Sequence, residues 1–247
     1  MPNQPNFNCT ACGQCCHKLK LPLGLTEAVD WLRGRGQVQL ICEAIPWVAK
    51  PDPTDAVAAH KLSISFASMS GRLPIRVLVY LVASFDGPCP HLGAQNMCGV
   101  YANRPLTCRI YPAEVNPFVA TSPAQKACPP EAWQGVLPLM TDTLYADVQA
   151  FRQRAREEVG RKAWVCAQLG IHASAISNQG YVVHIPDPTQ LLDALLACPD
   201  TEAPPTPGDW TLTTHVAENI QTLQDMGALS KSAATLADDA VKYVHFV

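Results

Sequence analysis

A chain of 247 residues, 48% of them hydrophobic, is long enough to bury an ordinary globular core. Its net charge of -3 and its 16% of charged residues exclude a broad basic surface, so we expect no nucleic-acid partner. The most apolar stretch, "LPIRVLVYLVASF", contains Arg76 and is shorter than the roughly 18 to 20 residues that span a bilayer. We therefore expect it to be a buried strand, and we expect no membrane partner.

Four cysteines lie close together near the start of the chain, in "NFNCTACGQCCHKL": Cys9, Cys12, Cys15 and Cys16. The polar segment that begins the sequence, "MPNQPNFNCT", lacks the basic and apolar regions of a secretory signal, so we expect a cytoplasmic protein. In a reducing compartment the eleven cysteines of the chain are a poor disulfide framework, and an odd number would leave one unpaired. We expect the grouped cysteines to bind metal instead.

The spacing C-x2-C allows two thiolates to bind one tetrahedral metal from a single turn. Cys9, Cys12 and Cys15 repeat it as C-x2-C-x2-C, the run with which bacterial ferredoxins bind a [4Fe-4S] cluster. On a helical turn Cys9, Cys12 and Cys16 would share one face, whereas Gly13 favours a loop. In either conformation the side chains of the adjacent Cys15 and Cys16 diverge. We therefore expect them to bind different centres, or one of them to lie next to the metal ligands without binding the metal itself.

The next segments predict one helix and three strands. Thr26 is a candidate N-cap for a helix over "EAVDWLRGRG", which Gly34 and Gly36 would end. The stretches "QVQLICEAIPWV", "KLSISFAS" and "IRVLVYLVASF" are rich in β-branched and aromatic residues, which favours strands of a small antiparallel sheet.

A second group of cysteines lies further along the chain: Cys89, Cys98, Cys108 and Cys128. Eight thiols suffice for two four-ligand sites or for one larger cluster with spare ligands. Arg104 and Arg109 flank one of these cysteines, where they would either offset the charge of a thiolate centre or bind a carboxylate or phosphate substrate. His17 and His91 adjoin cysteines, and we expect hydrogen bonding more than metal ligation from them.

The three isolated cysteines, Cys42, Cys166 and Cys198, stand in apolar segments and are expected to pack in the core. After Cys128 the pattern becomes helical, with predicted helices over "TDTLYADVQAFRQRAREEVGRKAWVCAQLG", "DPTQLLDALLAC", "TLTTHVAENIQTLQDMG" and "KSAATLADDAVKYV". The proline-rich "PDTEAPPTPGDW" predicts an extended linker.

We therefore predict an α+β fold: a small antiparallel sheet with surrounding helices, a cysteine-ligated metal centre and a helical C-terminal half. The predicted domains are residues 1–135, which bind metal, and residues 136–247, which pack on them.

The order of "FNCTACGQCC", "CPHL", "CGVYANRPLTCRIYP" and Cys128 resembles the zinc- or iron-chelating CxxCxxCC domain, over roughly residues 7 to 130. Proteins with this domain are the YkgJ-type cysteine-cluster proteins, often labelled Fe-S oxidoreductases. The resemblance implies a metal or iron-sulfur centre held by all eight grouped cysteines. A flagellin lysine methylase also carries this domain, but its activity belongs to a larger protein and is not transferred to this chain.

Three functions are compatible with these observations. The first is an iron-sulfur protein in redox chemistry, with a redox partner, and the second is a metal-dependent enzyme that modifies a peptide or small molecule. The third is a structural zinc module for protein interaction. We favour an iron-sulfur cluster of the [4Fe-4S] type over zinc, because the cysteine run matches cluster spacing and eight cysteines exceed the need of one zinc. No Gly-rich nucleotide loop, G-x-S-x-G or H-E-x-x-H motif names a reaction, so the sequence leaves open whether the protein is an enzyme.

Overall fold

The computed structural model describes residues 5–18, 20–200, 208–236 and 240–246, and this part of the chain combines helices with strands. The helices are α1 (Cys15–Lys18), α2 (Leu25–Arg33), α3 (Ala56–Ser63), α4 (Leu106–Ile110), α5 (Asp142–Glu157), α6 (Val159–Gln168), α7 (Pro188–Ala197) and α8 (Ala217–Asp225). The strands are β1 (Leu21–Leu23), β2 (Gln37–Pro46), β3 (Phe66–Ser70), β4 (Leu73–Ser84), β5 (Ala173–Ile176), β6 (Gly180–His184), β7 (Thr211–Thr214), β8 (Ser230–Ser232) and β9 (Val241–His245). The predicted α+β class is confirmed.

The chain divides into two compact units that interleave along the sequence. Residues 1–23 and 83–154 form one of them, which contains all eight grouped cysteines and is called the cysteine unit below. Residues 24–82 and 155–247 form the other, called the sheet unit. The division into domains at residues 135 and 136 stays a prediction, since these units are defined by contacts rather than by chain order.

A mixed sheet runs through the sheet unit in the order β4-β2-β5-β7-β8, while β3 pairs with β4 and β6 pairs with both β2 and β9. Besides β4, strand β2 has two further partners: residues 40–42 pair antiparallel with β6 and residues 43–44 pair parallel with β5. The pairs β5–β7 and β7–β8 are parallel, whereas β3–β4 and β6–β9 are antiparallel. The small antiparallel sheet predicted from residues 37–85 is thus one part of a larger mixed sheet.

The strand predictions are confirmed for β2 and β4. The strand predicted over "KLSISFAS", which corresponds to β3, is wrong at its start. Residues 61–63 of "KLSISFAS" end α3, and β3 begins only at Phe66. The Asp55 carboxylate accepts a hydrogen bond from the backbone amide of Ala58 at 2.9 Å. This cap starts a helix that runs to Ser63. The β-branched residues of this segment do not end the helix earlier.

Helix α2 begins before the predicted cap. Its N-cap is Gly24, whose amide donates to the Glu27 carboxylate at 2.9 Å, so Thr26 lies within the first turn. The amide of Leu25 donates to Oε1 of Glu158 at 2.9 Å, a partner far away in the sequence. The predicted end at Gly34 is confirmed.

The C-terminal half contains the predicted helices α5 to α8, but it is not wholly helical. The long helix predicted over residues 141–170 breaks at Glu158 into α5 and α6, and Thr141 caps its start by accepting from the amide of Leu144 at 3.2 Å. Helix α7 forms as predicted, with Asp187 as its N-cap. The predicted linker falls largely on residues 201–207, which lie outside the described residues.

Of the C-terminal helix predictions, the one over residues 211–227 is wrong in part and the one over residues 231–244 is wrong for the described residues. The segment 211–227 begins as strand β7 before α8, and the segment 231–244 contains the end of β8, a short 3-10 turn and most of β9. Leu212 and Thr213 are fully buried in β7, where they pair with both β5 and β8. Their place in the middle of the sheet overrides a helical pattern that was only local.

The isolated cysteines pack in the sheet unit, as predicted: Cys42, Cys166 and Cys198 are buried. Burial raises the pKa of Cys42 well above its usual range, and the Cys166 thiol that hydrogen-bonds it adds to the rise. The Cys42 thiol is therefore a poor nucleophile and a poor ligand. Across the described ranges, no helix is both long enough and apolar enough to cross a membrane.

Candidate metal centre

The segment before the first cysteine is fixed by backbone hydrogen bonds within the cysteine unit. The amide of Phe7 donates to the carbonyl of Leu137 at 3.0 Å, and the amide of Asn8 donates to the carbonyl of Ala132 at 2.8 Å. Cys9 is therefore held beside the segment that follows the last grouped cysteine.

The first cysteine group lies on a loop followed by one helical turn. Residues 9–13 are irregular, and α1 begins at Cys15, so the loop alternative left open by the sequence is the one found. Gly13 is buried and has a φ of +72°, and a Cβ atom at this position would lie 2.8 Å from the Cβ of Asn96. Only glycine fits this close approach, which sets the first cysteine group against the segment that precedes Cys98.

Backbone contacts also join the helical turn to the second cysteine group. The amide of Cys89 donates to the carbonyl of Cys16 at 2.7 Å. Leu92 donates its amide to the carbonyl of Cys89 at 2.9 Å and forms an isolated β-bridge with Cys98. Three grouped cysteines are thereby brought to one side of the unit.

Helix α4 brings the third member of the second group to the same place. Burial raises the pKa of Cys108 to about 12, and four neighbouring thiols add to the rise: Cys89, Cys15, Cys16 and Cys98. The helix itself is held in the unit by Thr107, whose hydroxyl donates to the carbonyl of Pro22 at 2.6 Å. Because a thiolate at Cys108 would lie among other sulfur atoms, its charge requires a nearby cation.

Cys128 is positioned by the hydroxyl of Tyr111. This hydroxyl accepts from the amide of Ala127 at 2.6 Å and hydrogen-bonds the Cys128 sulfur. Burial raises the pKa of Cys128, and the bond from Tyr111 opposes the rise because it stabilises the thiolate. Burial also raises the pKa of Tyr111 to about 12, so this hydroxyl keeps its proton at neutral pH. Tyr111 lies in the motif "CGVYANRPLTCRIYP", and its contact with Cys128 depends on the path of the loop between them.

The eight thiols fall into two neighbourhoods that meet at the adjacent cysteines. Burial raises the pKa of Cys15, the Cys16 thiol lowers it by hydrogen bonding, and Cys128, Cys9 and Cys12 raise it further. Burial raises the pKa of Cys16 to about 11, followed by the effects of Cys15, Cys98 and Cys12. We name the first thiol set Cys9, Cys12, Cys15 and Cys128, and the second thiol set Cys16, Cys89, Cys98 and Cys108.

The thiols are neighbours, but they do not yet converge on a point. Across residues 5–18, 20–200, 208–236 and 240–246, no group of three or more His, Cys, Asp or Glu side chains has the arrangement of a finished metal site. Ionised thiols repel one another, so a cation is needed to draw four sulfurs together. The donor chemistry, four thiols in each set, fits tetrahedral zinc or an iron-sulfur cluster.

The two arginines predicted beside the centre have different surroundings. The guanidinium of Arg109 forms an ion pair with the Asp147 carboxylate of α5, including a hydrogen bond of 3.2 Å from Nε to Oδ2. Arg104 instead lies over the ring of Tyr101, with 4.0 Å between its Cζ and the ring centroid. Nε of Arg104 is buried and has no hydrogen-bond partner in the part of the chain that the structure describes. The sequence missed Asp147, which lies on a helix with no motif to mark it.

The two histidines beside the cysteines are placed differently. The side chain of His17 is exposed. Burial raises the pKa of Cys89, and the backbone amides of His91 and Leu92 oppose the rise by hydrogen-bonding its sulfur. His91 thus contributes a backbone hydrogen bond to the Cys89 sulfur.

A cleft of about 600 Å³ opens beside the first thiol set. Its wall includes both arginines and five of the grouped cysteines: Cys9, Cys12, Cys15, Cys108 and Cys128. Cys9 is exposed, and the other seven grouped cysteines are partly buried. A centre formed by these thiols would therefore be open to molecules in the cleft.

The site and a comparison with known families together define the class of protein. Residues 8–129 match a family model described as "CxxCxxCC: Putative zinc- or iron-chelating domain", and this range contains all eight grouped cysteines. Neither a curated protein nor a solved structure matches the chain. The cysteine unit thus carries a metal-chelating cysteine-cluster domain. Through these residues the chain matches the CxxCxxCC family, as the order of its motifs predicted.

Proposed function

We propose that the cysteine unit holds iron in two four-thiolate centres of the iron-sulfur type, one in each thiol set. The protein would serve redox chemistry or the metal-dependent modification of a peptide or small molecule. The observation that carries this proposal is the placement of the adjacent thiols Cys15 and Cys16, which contact each other but differ in their further neighbours: Cys128 and Cys9 lie near Cys15, Cys98 lies near Cys16, and Cys12 lies near both. Two centres that meet at these thiols would take Cys15 into one set and Cys16 into the other.

The composition of the first thiol set favours iron-sulfur chemistry over zinc. Three members come from the C-x2-C-x2-C run, and the fourth, Cys128, is remote in sequence and precedes Pro129. Ferredoxins likewise bind clusters through such a run and a cysteine that precedes proline. We favour the [4Fe-4S] type for this reason.

The cleft favours a working centre over a purely structural one. Structural zinc sites are closed by four protein ligands and buried from other molecules. Here five grouped thiols line an open cleft. When bound, an iron-sulfur cluster supplies electron transfer, at a potential tuned by hydrogen bonds to its sulfurs. The hydroxyl of Tyr111 at Cys128 and the amides of His91 and Leu92 at Cys89 are placed to give such bonds.

A reducing compartment, such as the cytoplasm, would suit this assignment, because all eleven cysteines of the chain are free thiols. The predicted role of Arg104 and Arg109 in offsetting the charge of the centre stays a prediction. The ion pair with Asp147 already uses the charge of Arg109.

Protein purified without oxygen should be brown and should contain iron and acid-labile sulfide, with sulfide close to iron in amount. Metal analysis, sulfide assay and a visible absorption spectrum check this directly. Stoichiometric zinc, without sulfide or visible absorbance, would replace the proposal with the alternative, a structural zinc module for protein interaction.

A further inference from the structure

The cleft beside the first thiol set has the size and chemistry of a site for a small organic molecule. Its volume of about 600 Å³ lies within the range of roughly 300 to 1,000 Å³ that is usual for such sites. Besides the cysteines, three side chains in its wall carry a carboxylate or a guanidinium group: Arg104, Arg109 and Asp147. These three side chains decide the charge of ligand that the cleft favours.

Arg109 and Asp147 largely cancel each other. They form an ion pair with two hydrogen bonds, and the Asp147 side chain is only 14% exposed. The uncompensated charge among the described groups of the wall is therefore that of Arg104. Its buried Nε lacks a hydrogen-bond partner there, which is unfavourable for a charged group unless a ligand supplies the acceptor.

The guanidinium of Arg104 is held in place before any ligand arrives. Its Cζ lies over the ring of Tyr101, 4.0 Å from the centroid, and cation-π contact favours this position. The backbone is restrained as well, because Pro105 follows directly and Arg104 ends the 3-10 turn Tyr101–Asn103. A fixed guanidinium fork is suited to the two oxygens of a carboxylate or phosphate.

Hydroxyl groups stand in the same wall as this guanidinium. Thr10, Thr141 and Thr143 line the cleft together with apolar side chains such as Leu137 and Leu144. An anionic group could thus bind Arg104 and the hydroxyls while the organic part of the molecule contacts the apolar side. Such a mixture is usual in sites for small organic ligands.

We propose that this cleft binds an organic molecule through a carboxylate or phosphate group, with Arg104 as the anion-binding residue. The ligand lies beside the first thiol set, next to the metal centre of the proposed function. Its position next to a metal rests on the proposed function, whereas anion binding by the cleft does not.

The test uses benzoate and phenyl phosphate as probes, titrated calorimetrically into metal-containing protein whose metal content is measured in parallel. At least one probe should bind saturably, and the comparison of the two distinguishes a carboxylate site from a phosphate site. Arg104→Gln should weaken binding about tenfold or more, and Arg104→Lys should give an intermediate loss, because it keeps the charge and loses the fork. Arg33→Gln, at an exposed arginine of α2 in the sheet unit, is the matched control and should change nothing.

A second variant tests the same charge balance from the other side. Asp147→Asn releases Arg109 from its carboxylate and leaves two cations in the cleft wall, so it should tighten probe binding. This readout remains decisive if Arg104→Gln fails to fold, and unchanged probe affinity in Asp147→Asn would then overturn the proposal.

Other outcomes separate this proposal from the proposed function. Probe affinity that survives in folded Arg104→Gln, or no saturable binding of either probe to wild type, overturns the anion site and leaves the metal centre standing. If Arg104→Gln keeps the probe but loses metal, the arginine offsets the charge of the centre and the anion site is again overturned. Arg104-dependent binding in a protein that takes up no metal would keep the anion site and remove the proposed function.

Discussion

Removal of the bound metal should unfold the cysteine unit and leave the sheet unit folded. The hydrophobic cluster around α4 and α5 in the cysteine unit is small, with four buried residues: Ile110, Ala113, Leu139 and Val148. The first thiol set joins Cys9 to Cys128 across most of the unit, so metal binding there is also folding free energy. In zinc-finger peptides this apparent free energy is about 10 to 16 kcal/mol, more than a small core supplies.

The sheet unit should stay folded when the metal is removed. Leu40, Ile75, Val77 and Leu212 are almost completely buried within its strands, and the three cysteines it contains are not grouped. Calorimetry should therefore show one transition lost or moved to much lower temperature after chelation, and a second transition little changed. Hydrogen exchange should lose protection in α4 and keep it in β2 and β4. An unchanged melt and unchanged protection in α4 would show that folding of the cysteine unit does not depend on metal.

Serine substitution in either thiol set should remove about half of the metal. Cys12→Ser takes a ligand from the first thiol set and Cys108→Ser takes one from the second, so each variant should empty one centre and keep the other. The double variant should lose nearly all metal. Metal content per folded protein, measured after anaerobic purification, checks these three results together.

The matched control is Cys198→Ser, because Cys198 is a buried thiol of the sheet unit outside both sets. It should keep the full metal content, as should Cys42→Ser and Cys166→Ser. Loss of metal in any of these controls would show that the thiols are grouped wrongly. Complete loss in each single variant of the grouped cysteines would instead favour one larger cluster over two centres.

Local patterns in the sequence were enough to predict much of the fold. Cysteine spacing and motif order gave the family, and runs of β-branched residues gave β2 and β4 nearly to their ends. Asp187 and the proline after it marked the start of α7. These signals are local because caps and strand propensity act over a few residues.

The failures concern contacts between residues that are far apart in the sequence. Glu158 interrupts a continuous helical pattern at the point where its side chain binds the amide of Leu25 and the ammonium of Lys162. The local pattern of β7 predicts a helix, whereas its pairing with β5 on one side and β8 on the other makes it a strand. The interleaving of the two units along the sequence likewise depends on contacts between distant segments, which local patterns do not predict.

The same limit applies to the candidate site. Spacing alone predicts that the side chains of Cys15 and Cys16 diverge, whereas in the folded chain their thiols hydrogen-bond each other and differ in their further neighbours. Arg109 was expected to offset a thiolate centre because it follows Cys108, and its partner Asp147 comes from α5. Which charges remain uncompensated is decided by such pairs, so the sequence could not distinguish Arg104 from Arg109.

X-ray absorption at the K-edge of the bound metal tests the central claim, that the grouped thiols hold the metal, whichever metal it is. The expected first shell consists of four sulfur atoms, at about 2.3 Å if the metal is zinc, with an added iron-iron contribution if it is a cluster. Cys198→Ser should leave this shell unchanged. A first shell that contains nitrogen or oxygen ligands in place of sulfur would contradict the assignment of the metal to these cysteines.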